Sequence, residues 1–368
     1  MFPPRPGSQM PVPHDFDAAH AASLRGREDA VLHSARSPSP EPSLSRVGLG
    51  LVVIGRNEGE RLRRCLQSAR GLGACVYVDS GSTDGSTALA QSFGADVIEL
   101  DASLPFTAAR ARNAGARRLG QLVPQLQAIQ FIDGDCELSP AWLEDALDAL
   151  AAHADVAAVA GRLRERHVDR SIYNQLCDIE WDTPVGEVRS IGGIAMIRAA
   201  AFVAAGGFRE DLIAGEEPEL CVRLRAAGGR VLRLPHDMAW HDAAMTRWTQ
   251  WWRRTVRAGH AFAEGASLHG ASPERHYVAE TRRAALWGLA FPCAVAGLCA
   301  VTPLAPLLLL AYPLQVLRLG LRRARQGAPV PWHQAYFLMI GRFAEGWGVL
   351  KFHLSRWSGR RSGLIEYK

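Results

Sequence analysis

The segment IQFIDGDCELSPAWL, residues 129–143, places two carboxylates directly behind a run of apolar residues. The apolar run predicts a buried strand that ends at Asp133, and Ser139-Pro140 supplies an N-cap and a first-turn proline for a helix ending near Ala152. Two like charges held close together at the end of a buried strand are unfavourable unless a cation lies between them. Asp133 and Asp135 are therefore expected either to be solvated or to bind a metal.

The residues upstream of this segment alternate between short apolar runs and segments of helical periodicity. The runs that predict strands are LGLVVIG (49–55), ACVYVDS (74–80), ADVIEL (95–100) and AIQFID (128–133). Strand, helix and strand repeated in this way predict an α/β fold, with a mostly parallel sheet, right-handed crossovers and helices on both faces. Ligands of such sheets bind at the carboxyl ends of the strands.

Polar residues collect at three of these strand ends. They are Arg56-Asn57-Glu58, the stretch from Asp79 to Asp84, and Asp133-Gly134-Asp135. Each one alone is equally well an ordinary turn, because Asp, Asn, Ser and Gly are turn residues. Three of them on one edge of a sheet favour a shared ligand.

The composition is that of a globular protein of 368 residues, with 48% apolar and 21% charged residues. The net charge of +5 is mildly basic and argues against a nucleic-acid partner. Seven cysteines without a CxxC pair are typical of reduced thiols, and they favour neither a disulfide framework nor a zinc site.

The first 46 residues are rich in Pro, Ser, Ala and Arg. Such a segment buries too little apolar surface to offset the entropy of ordering, so a disordered tail is expected over 1–46. This segment contains no basic stretch followed by an apolar core, so the sequence does not predict a signal peptide. A compact domain is expected over 47–265, and a linker over 266–283.

Residues 284–317 form a run of 34 residues without a formal charge, flanked by arginines on both sides. One continuous helix of this length would extend about 50 Å, well beyond the roughly 30 Å hydrocarbon core of a bilayer. Because prolines interrupt the run at 302–306, we expect a hairpin of two membrane helices over 284–321, with both flanks in the cytoplasm. A single tilted span and a buried helical pair are the alternatives. The basic and aromatic segment 322–368 is expected at the membrane interface.

Six motifs between residues 49 and 265 resemble those of the family 2 glycosyltransferases, which have the A-type fold and use nucleotide-diphosphate sugars. In chain order they are VVIGRNEGERLRRCLQS, VDSGSTDGS, ARARNAG, FIDGDCEL, GGIAMIRAAAFVAAGGFRED and GEEPELCVRL. Each motif alone is weak, but their order and spacing also agree with the family. The resemblance covers well over half of the chain.

The resemblance implies a divalent metal, Mg²⁺ or Mn²⁺, that offsets the charge growing on the leaving diphosphate. Carboxylate oxygens are ligands that both ions accept. By resemblance, Asp135 binds the metal directly and Asp133 faces the ribose or a metal-bound water. His241, which follows a predicted strand, is a further candidate ligand, although a single histidine is as often structural.

The resemblance also implies the residues that bind the donor. Asp79 contacts the nucleobase or ribose, Arg56 and Glu58 line the same pocket, and Arg112 approaches the diphosphate. Many members carry two consecutive aspartates where this chain has Asp79 followed by serine, so the identity of the base stays open. Arg253 in the segment QWWRR is expected at the leaving diphosphate, and a helix at the membrane surface is the alternative for this segment.

A pair of acids, Glu216 and Glu217, follows the GGF turn at the position where the family places its catalytic dyad. Inversion by a single displacement needs a base that takes the proton of the acceptor hydroxyl, and Glu217 is the expected base. The usual dyad is Glu-Asp, so the assignment between the two glutamates stays open. Acids at a helix N-terminus also complement the helix dipole.

These patterns predict an inverting, metal-dependent glycosyltransferase at the cytoplasmic face of a membrane. Its donor is a nucleotide-diphosphate sugar, with a UDP-sugar as the first expectation, and its acceptor is a lipid-linked sugar or a polysaccharide. One alternative is a membrane-bound nucleotidyltransferase, which needs a glycine-rich loop that GRNEGE does not provide. The other is a non-catalytic membrane scaffold, which predicts the loss of Asp133, Asp135 or Glu217, yet all three are present.

Overall fold

A computed structural model describes residues 48–359, and the tail predicted over 1–46 lies outside them. The first part of this range alternates strands and helices, as the sequence predicts. In chain order the elements are β1 (Leu49–Gly55), α1 (Glu60–Ser68), β2 (Ala74–Asp79), α2 (Ser86–Ser92), β3 (Asp96–Glu99), α3 (Ala108–Leu122) and β4 (Ala128–Asp133). The four strands form a parallel sheet in the order β3-β2-β1-β4.

The second part extends this sheet. Its elements are β5 (Cys136–Leu138), α4 (Trp142–Ala152), β6 (Val156–Glu165), a short 3₁₀ turn (Val168–Arg170), α5 (Ile172–Glu180), β7 (Gly186–Glu187), β8 (Ala195–Arg198), α6 (Ala199–Ala204), α7 (Glu216–Ala226) and β9 (Arg230–His241). β8 runs antiparallel to both β4 and β6, and β9 runs parallel to β6. Of the nine strands within 48–359, six therefore share one direction, which confirms the mostly parallel α/β sheet.

The short strand β5 separates the two aspartates from the helix that follows them. Its residues pair with Ala239, Trp240 and His241 at the end of β9. The helix predicted to start with Ser139 as its N-cap begins slightly later, at Trp142, with Ala141 as its N-cap, and it ends at Ala152 as predicted. This pairing brings the end of β9 next to the end of β4.

Helix α3 packs closely on one face of the sheet and covers it. A Cβ atom on Gly115 would lie 2.4 Å from a methyl carbon of Val52, so only glycine allows α3 to approach β1 this closely. On the other face, Leu62, Cys65 and Leu66 of α1 are buried, as helical periodicity predicts. With both faces covered, ligands have access to the sheet at its carboxyl edge.

The C-terminal part of the described chain is helical. Its elements are α8 (Trp248–His269), α9 (Val278–Ala285), a π-helical turn (Leu286–Ala290), α10 (Phe291–Leu298), a 3₁₀ segment (Ala305–Leu310), α11 (Ala311–Arg325) and α12 (Pro331–Trp357). α8 continues through the boundary predicted at residue 265, and α12 packs along α8, α9 and α11. A glycine allows α12 to approach α8 most closely, because a Cβ atom on Gly348 of α12 would lie 2.1 Å from the carbonyl oxygen of Val256 of α8.

The apolar run 284–317 forms a helical hairpin, with its turn at the predicted prolines. Pro303 and Pro306 divide the run, so that α10 has eight residues and the returning arm starts as a 3₁₀ segment. Within residues 48–359, no helix combines the length and the apolar content needed to cross a bilayer. The prediction that the hairpin arms are membrane-spanning helices is therefore not supported.

Candidate active site

The loops after β1 and β2 are tied together by hydrogen bonds. The backbone NH of Asn57 donates to Ser82 Oγ at 2.9 Å, and the backbone NH of Thr83 donates back to Asn57 Oδ1 at 2.7 Å. The NH of Gly59 donates to Asp84 Oδ2 at 3.0 Å. The two polar stretches that the sequence assigns to one ligand site thus form a single cross-linked edge.

Asp79 lies beneath this edge and is buried. Its Oδ1 accepts a hydrogen bond from the Tyr77 hydroxyl at 2.9 Å, while its Oδ2 accepts from the backbone NH groups of Gly81 at 2.9 Å and Ser82 at 2.7 Å. Asp79 therefore shapes the loop 80–84 from inside. Its predicted contact with the nucleobase or ribose stays a prediction.

The other two predicted donor residues of this edge differ in exposure. Arg56 is exposed, and its guanidinium lies over the Phe106 ring at 5.7 Å from the ring centroid. Glu58 is buried and pairs with Arg61 at 2.7 Å. At this edge the Arg56 guanidinium is therefore exposed, whereas the Glu58 carboxylate is buried.

The two aspartates of the opening segment point into different surroundings. Asp135 is buried, and its Oδ2 lies 3.1 Å from Nε2 of His241, at the end of β9. The indole of Trp181 packs on the His241 ring, with ring centroids 4.9 Å apart. Ligand atoms of Asp135, Cys136 and His241 all lie within 4.8 Å of one another. A buried carboxylate oxygen beside an imidazole is a donor set that suits Mn²⁺ better than the soft thiol of Cys136 does.

Asp133 faces Arg112, which is the charged centre of the site. The guanidinium of Arg112 donates to Asp133 Oδ1 at 3.0 Å, to Glu216 Oε1 at 3.0 Å and to Glu217 Oε1 at 2.8 Å. Its planar group also packs over the Phe208 ring at 5.6 Å. The structure therefore places Arg112 between the first aspartate and the acidic pair, a partnership that the sequence does not predict.

Electrostatics holds this cluster together even though it is buried. Burial lowers the pKa of a guanidinium, but the charges of Glu217, Asp133 and Glu216 outweigh that effect and raise the pKa of Arg112 above its usual value. A buried cation with three acidic partners is strongly restrained in position. Arg112 thus fixes the carboxylates of Asp133, Glu216 and Glu217 relative to one another.

The acidic pair begins helix α7. Glu216 is the first residue of the helix, after Gly215 in the left-handed conformation with φ 80°. Burial, followed by the negative charge of Glu216, raises the pKa of Glu217 to about 7. A carboxyl group with this pKa can accept a proton near neutral pH, as a general base must.

Contacts of the preceding GGF turn hold α7 in place. The side-chain amide of Asn113, in the ARARNAG motif, donates to the carbonyl oxygen of Phe208 at 2.7 Å, and the NH of Phe208 donates back to Asn113 Oδ1 at 2.9 Å. At the next helical turn, the buried Glu219 binds Arg223 and His269. These bonds orient Glu217 toward the sheet edge.

The predicted element QWWRR lies on α8 and divides into exposed and buried residues. Arg253 is exposed, so its expected contact with the diphosphate stays a prediction. Trp251 is 7% exposed and packs in a cluster with Cys177 and Phe337. The Trp251 ring is therefore part of a buried aromatic cluster.

Two aromatic residues near the site belong to none of the six sequence motifs. Trp181 follows α5 and covers His241. Tyr277 lies in the predicted linker with φ 56°, and a Cβ atom on Gly215 would be 4.0 Å from its ring. Tyr277 therefore borders the start of α7. The sequence offers no signal for either contact, because both depend on how distant segments pack.

The chain is similar to known proteins in sequence. Residues 51–200 match the family described as Glycosyl transferase family 2. The pre-mycofactocin glycosyltransferases of two Mycobacterium tuberculosis strains, CDC 1551 and H37Rv, are each 29% identical over 245 residues, which are 63% of this chain and 50% of theirs. This chain thus spans about half the length of the curated relatives that it matches.

A solved structure supports the fold. The mannosyltransferase PcManGT from Pyrobaculum calidifontis, in complex with GDP-Man and Mn²⁺, is similar with a TM-score of 0.57 and 20% identity. The match covers 90% of this chain and 96% of that protein. At this level of identity the similarity establishes the architecture.

Proposed function

We propose that the protein is an inverting, metal-dependent glycosyltransferase, because residues 51–200 match the family described as Glycosyl transferase family 2 and the fold is similar to that of a solved mannosyltransferase. The observation that carries the proposal is the convergence of two groups at one sheet edge. Asp135 and His241 form one group, and Arg112 joins Asp133 to Glu217 in the other. The group of Asp135 and His241 suits the binding of the leaving diphosphate through a metal. The group that contains Glu217 suits the attacking hydroxyl, whose proton a carboxylate can accept.

Asp135 and His241 are the residues that would hold a divalent metal, either Mg²⁺ or Mn²⁺, with Asp133 on the adjacent side. When bound, such an ion supplies positive charge that stabilises the leaving diphosphate. Trp181 packs on the His241 ring and limits its reorientation. Support for Mn²⁺ comes from the Pyrobaculum mannosyltransferase, which was solved with that ion.

The donor is a nucleotide-diphosphate sugar bound along the cross-linked β1 and β2 loops. Loop 80–84, shaped from within by Asp79, offers backbone groups to the nucleoside, and the exposed Arg56 offers a cation. A UDP-sugar is the first donor to test. A GDP-sugar is the second, because the Pyrobaculum enzyme was solved with GDP-Man.

Glu217 acts as the general base in a single displacement. The acceptor oxygen attacks the anomeric carbon and its proton passes to Glu217, while the bond from that carbon to the phosphate oxygen breaks and its electron pair leaves with the diphosphate. Arg112 holds Glu217 and Asp133 in fixed relation, which supports their joint action on one substrate. Glu216 lies deeper and shares the same cation.

The acceptor is a lipid-linked sugar or a growing polysaccharide, used at the cytoplasmic face of a membrane. Support for this location comes from the C-terminal helices. They carry exposed leucines beside arginines, a composition suited to a lipid surface.

The test is a panel of radiolabelled UDP-, GDP- and dTDP-sugars, with hydrolysis and transfer to extracted membrane acceptors measured in the presence of Mn²⁺, Mg²⁺ or EDTA. We expect turnover of one nucleotide class, and its loss in EDTA. The absence of turnover with every donor in the presence of native acceptors would reject the enzyme function.

Asp135→Asn tests the metal ligand within this proposal. The amide keeps the size of the side chain but removes an anionic oxygen, so we expect at least a 100-fold loss of metal-dependent donor turnover and weaker Mn²⁺ binding by calorimetry. Asp148→Asn, the same substitution at an exposed position of α4, is the control and is expected to match the parent protein. Unchanged Mn²⁺ affinity in Asp135→Asn would refute the assignment of the metal ligand.

A further inference from the structure

The end of the helical hairpin exposes an unusual amount of apolar surface. We define the hairpin tip as residues 293–310, a stretch without a charged residue in which fifteen of eighteen residues are exposed. Val301 is 81% exposed and Leu304 is 66% exposed. Single exposed leucines are normal on soluble proteins, but a continuous apolar surface of this kind marks an interaction site.

Among residues 48–359, few elements outside the hairpin cover the tip. α12 packs against α9, the π-helical turn and α11, which form the base of the hairpin. The main partners of α10 are the neighbouring π-helical turn and the 3₁₀ segment 305–310. The tip therefore extends beyond the supporting helix as an apolar projection.

The charges around the tip favour one kind of partner. Residues 281–344 contain seven arginines and neither aspartate nor glutamate. Arg283 and Arg342 pair with Glu280 and Glu345, just outside this stretch, and the others are Arg282, Arg318, Arg322, Arg323 and Arg325. On both arms of the hairpin the charges begin at the base, with Arg283 on one arm and Arg318 on the other. An apolar end bounded by cations complements the acyl chains and the anionic headgroups of a lipid bilayer.

We propose that the hairpin tip inserts into one leaflet of a bilayer that contains anionic lipids, with Arg283 and Arg318 at the level of the headgroups. Leu307 and Arg318 are eleven residues apart. Because residues 307–310 belong to the 3₁₀ segment and the rest to α11, this separation corresponds to a rise of about 18 Å, slightly more than half of the roughly 30 Å hydrocarbon core. Such a hairpin enters and leaves the membrane on the same side.

This inference deepens the membrane location within the proposed function, and it does not depend on the sugar-transfer chemistry. A second copy of the chain is the competing occupant of the same surface. Self-association through the tip would bury the leucines but would bring the arginines of two copies together. Charge complementarity therefore favours the lipid.

The exposed thiol of Cys299 permits a direct measurement of depth. Cys299 and Cys293 are exposed and Cys75 is partly exposed, so a Cys75→Ser, Cys293→Ser protein leaves Cys299 as the reactive site. An environment-sensitive fluorophore on Cys299 is mixed with vesicles of phosphatidylcholine and phosphatidylglycerol that carry a nitroxide on the headgroup or deep in the acyl chain. We expect stronger quenching by the acyl-chain nitroxide, together with weaker binding to pure phosphatidylcholine.

A matched pair of substitutions assigns the binding to the tip. Leu304→Glu combined with Leu307→Glu is expected to weaken vesicle binding at least 10-fold, because each introduced charge would have to enter the hydrocarbon. Val203→Glu, at an exposed apolar residue of α6, is expected to bind as the parent does. Donor hydrolysis is expected to be unchanged in both proteins.

Several outcomes would overturn the inference. These are normal vesicle binding by the Leu304→Glu, Leu307→Glu protein, quenching only by the headgroup nitroxide, and a tip variant that loses a dimer but keeps its vesicle affinity. Reaction of Cys299 with an impermeant thiol reagent trapped inside the vesicles would also overturn it, because that result means the hairpin crosses the bilayer. If vesicle binding holds while every donor fails, the proposed enzyme function falls and this inference stands.

Discussion

Arg112 has carboxylate partners that its motif does not predict. The ARARNAG motif predicts an arginine at the diphosphate, whereas the structure gives Arg112 three carboxylate partners. Glu216 lies 104 positions away in the sequence, and a pattern in one sequence carries no information about pairing at that distance. The motifs single out Arg112, but they do not predict its carboxylate partners.

Gly193 gives a test of this cluster that leaves the charged residues in place. A Cβ atom there would lie 2.3 Å from Arg112 Nη2, 3.0 Å from Glu217 Oε1 and 3.2 Å from Asp133 Oδ2. We therefore expect Gly193→Ala to displace the Arg112 side chain and to lower transfer by roughly 10-fold or more, because small displacements of catalytic groups are costly. Melting temperature and transfer rate are the two measurements.

The neighbouring Gly192→Ala is the control for this substitution, since a Cβ atom there meets nothing within 4 Å. We expect the transfer rate of Gly192→Ala to equal that of the parent protein. Equal activity in both variants would contradict the account of the cluster.

The pH dependence of transfer follows from the raised pKa of Glu217. A base acts only when deprotonated, so with a pKa of about 7 the rate is expected to fall as the pH drops below that value. The negative charge of Glu216 contributes to the raised pKa of Glu217. Glu216→Gln should therefore shift the acidic limb of the pH profile to lower pH. A profile that is flat between pH 5 and 8 would argue against Glu217 as the base.

At the scale of elements, periodicity predicts the strands and helices of the first half well, because each follows a local pattern. It fails at β5, whose three residues become a strand only by pairing with the end of β9. The domain boundary near residue 265 stays a prediction, and α8 runs through that position with α12 packed along it. The pairing of β5 depends on a tertiary contact that the local sequence does not record.

The α8–α12 contact makes a specific prediction for stability. A Cβ atom on Gly348 would lie 2.1 Å from the carbonyl oxygen of Val256, so Gly348→Ala must separate the two helices. We expect a loss of about 1–3 kcal/mol in the free energy of unfolding. Thermal unfolding should show this loss as a lower melting temperature.

Gly120→Ala on α3 is the matched control, because it has open space around its Cβ position. Alanine should there stabilise the helix by roughly 0.5–1 kcal/mol. If Gly348→Ala raises the melting temperature as Gly120→Ala is expected to do, the close contact between α8 and α12 has no energetic role.

At the scale of the whole molecule, the sequence predicts the α/β class of the fold, because the alternation of strands and helices is a local pattern. The fate of the apolar run 284–317 is different. Its length and lack of charge predict two spans, yet the prolines divide it into short segments, none of which meets the requirement for crossing a bilayer within the described chain. Hydrophobic content alone does not distinguish a span from an exposed hairpin tip.

The central claim is that one edge of the sheet performs sugar transfer with Glu217 as the base. The most direct test is the rate of sugar transfer to native membrane acceptors by Glu217→Gln, with donor binding measured by calorimetry on the same protein. The amide keeps the shape of the side chain but cannot take the acceptor proton, so we expect transfer to fall by roughly 100-fold or more, with donor affinity retained. Glu216→Gln should retain most of its activity at a pH well above 7. Normal transfer by Glu217→Gln would contradict the account, and normal transfer together with an inactive Glu216→Gln would assign the base to Glu216.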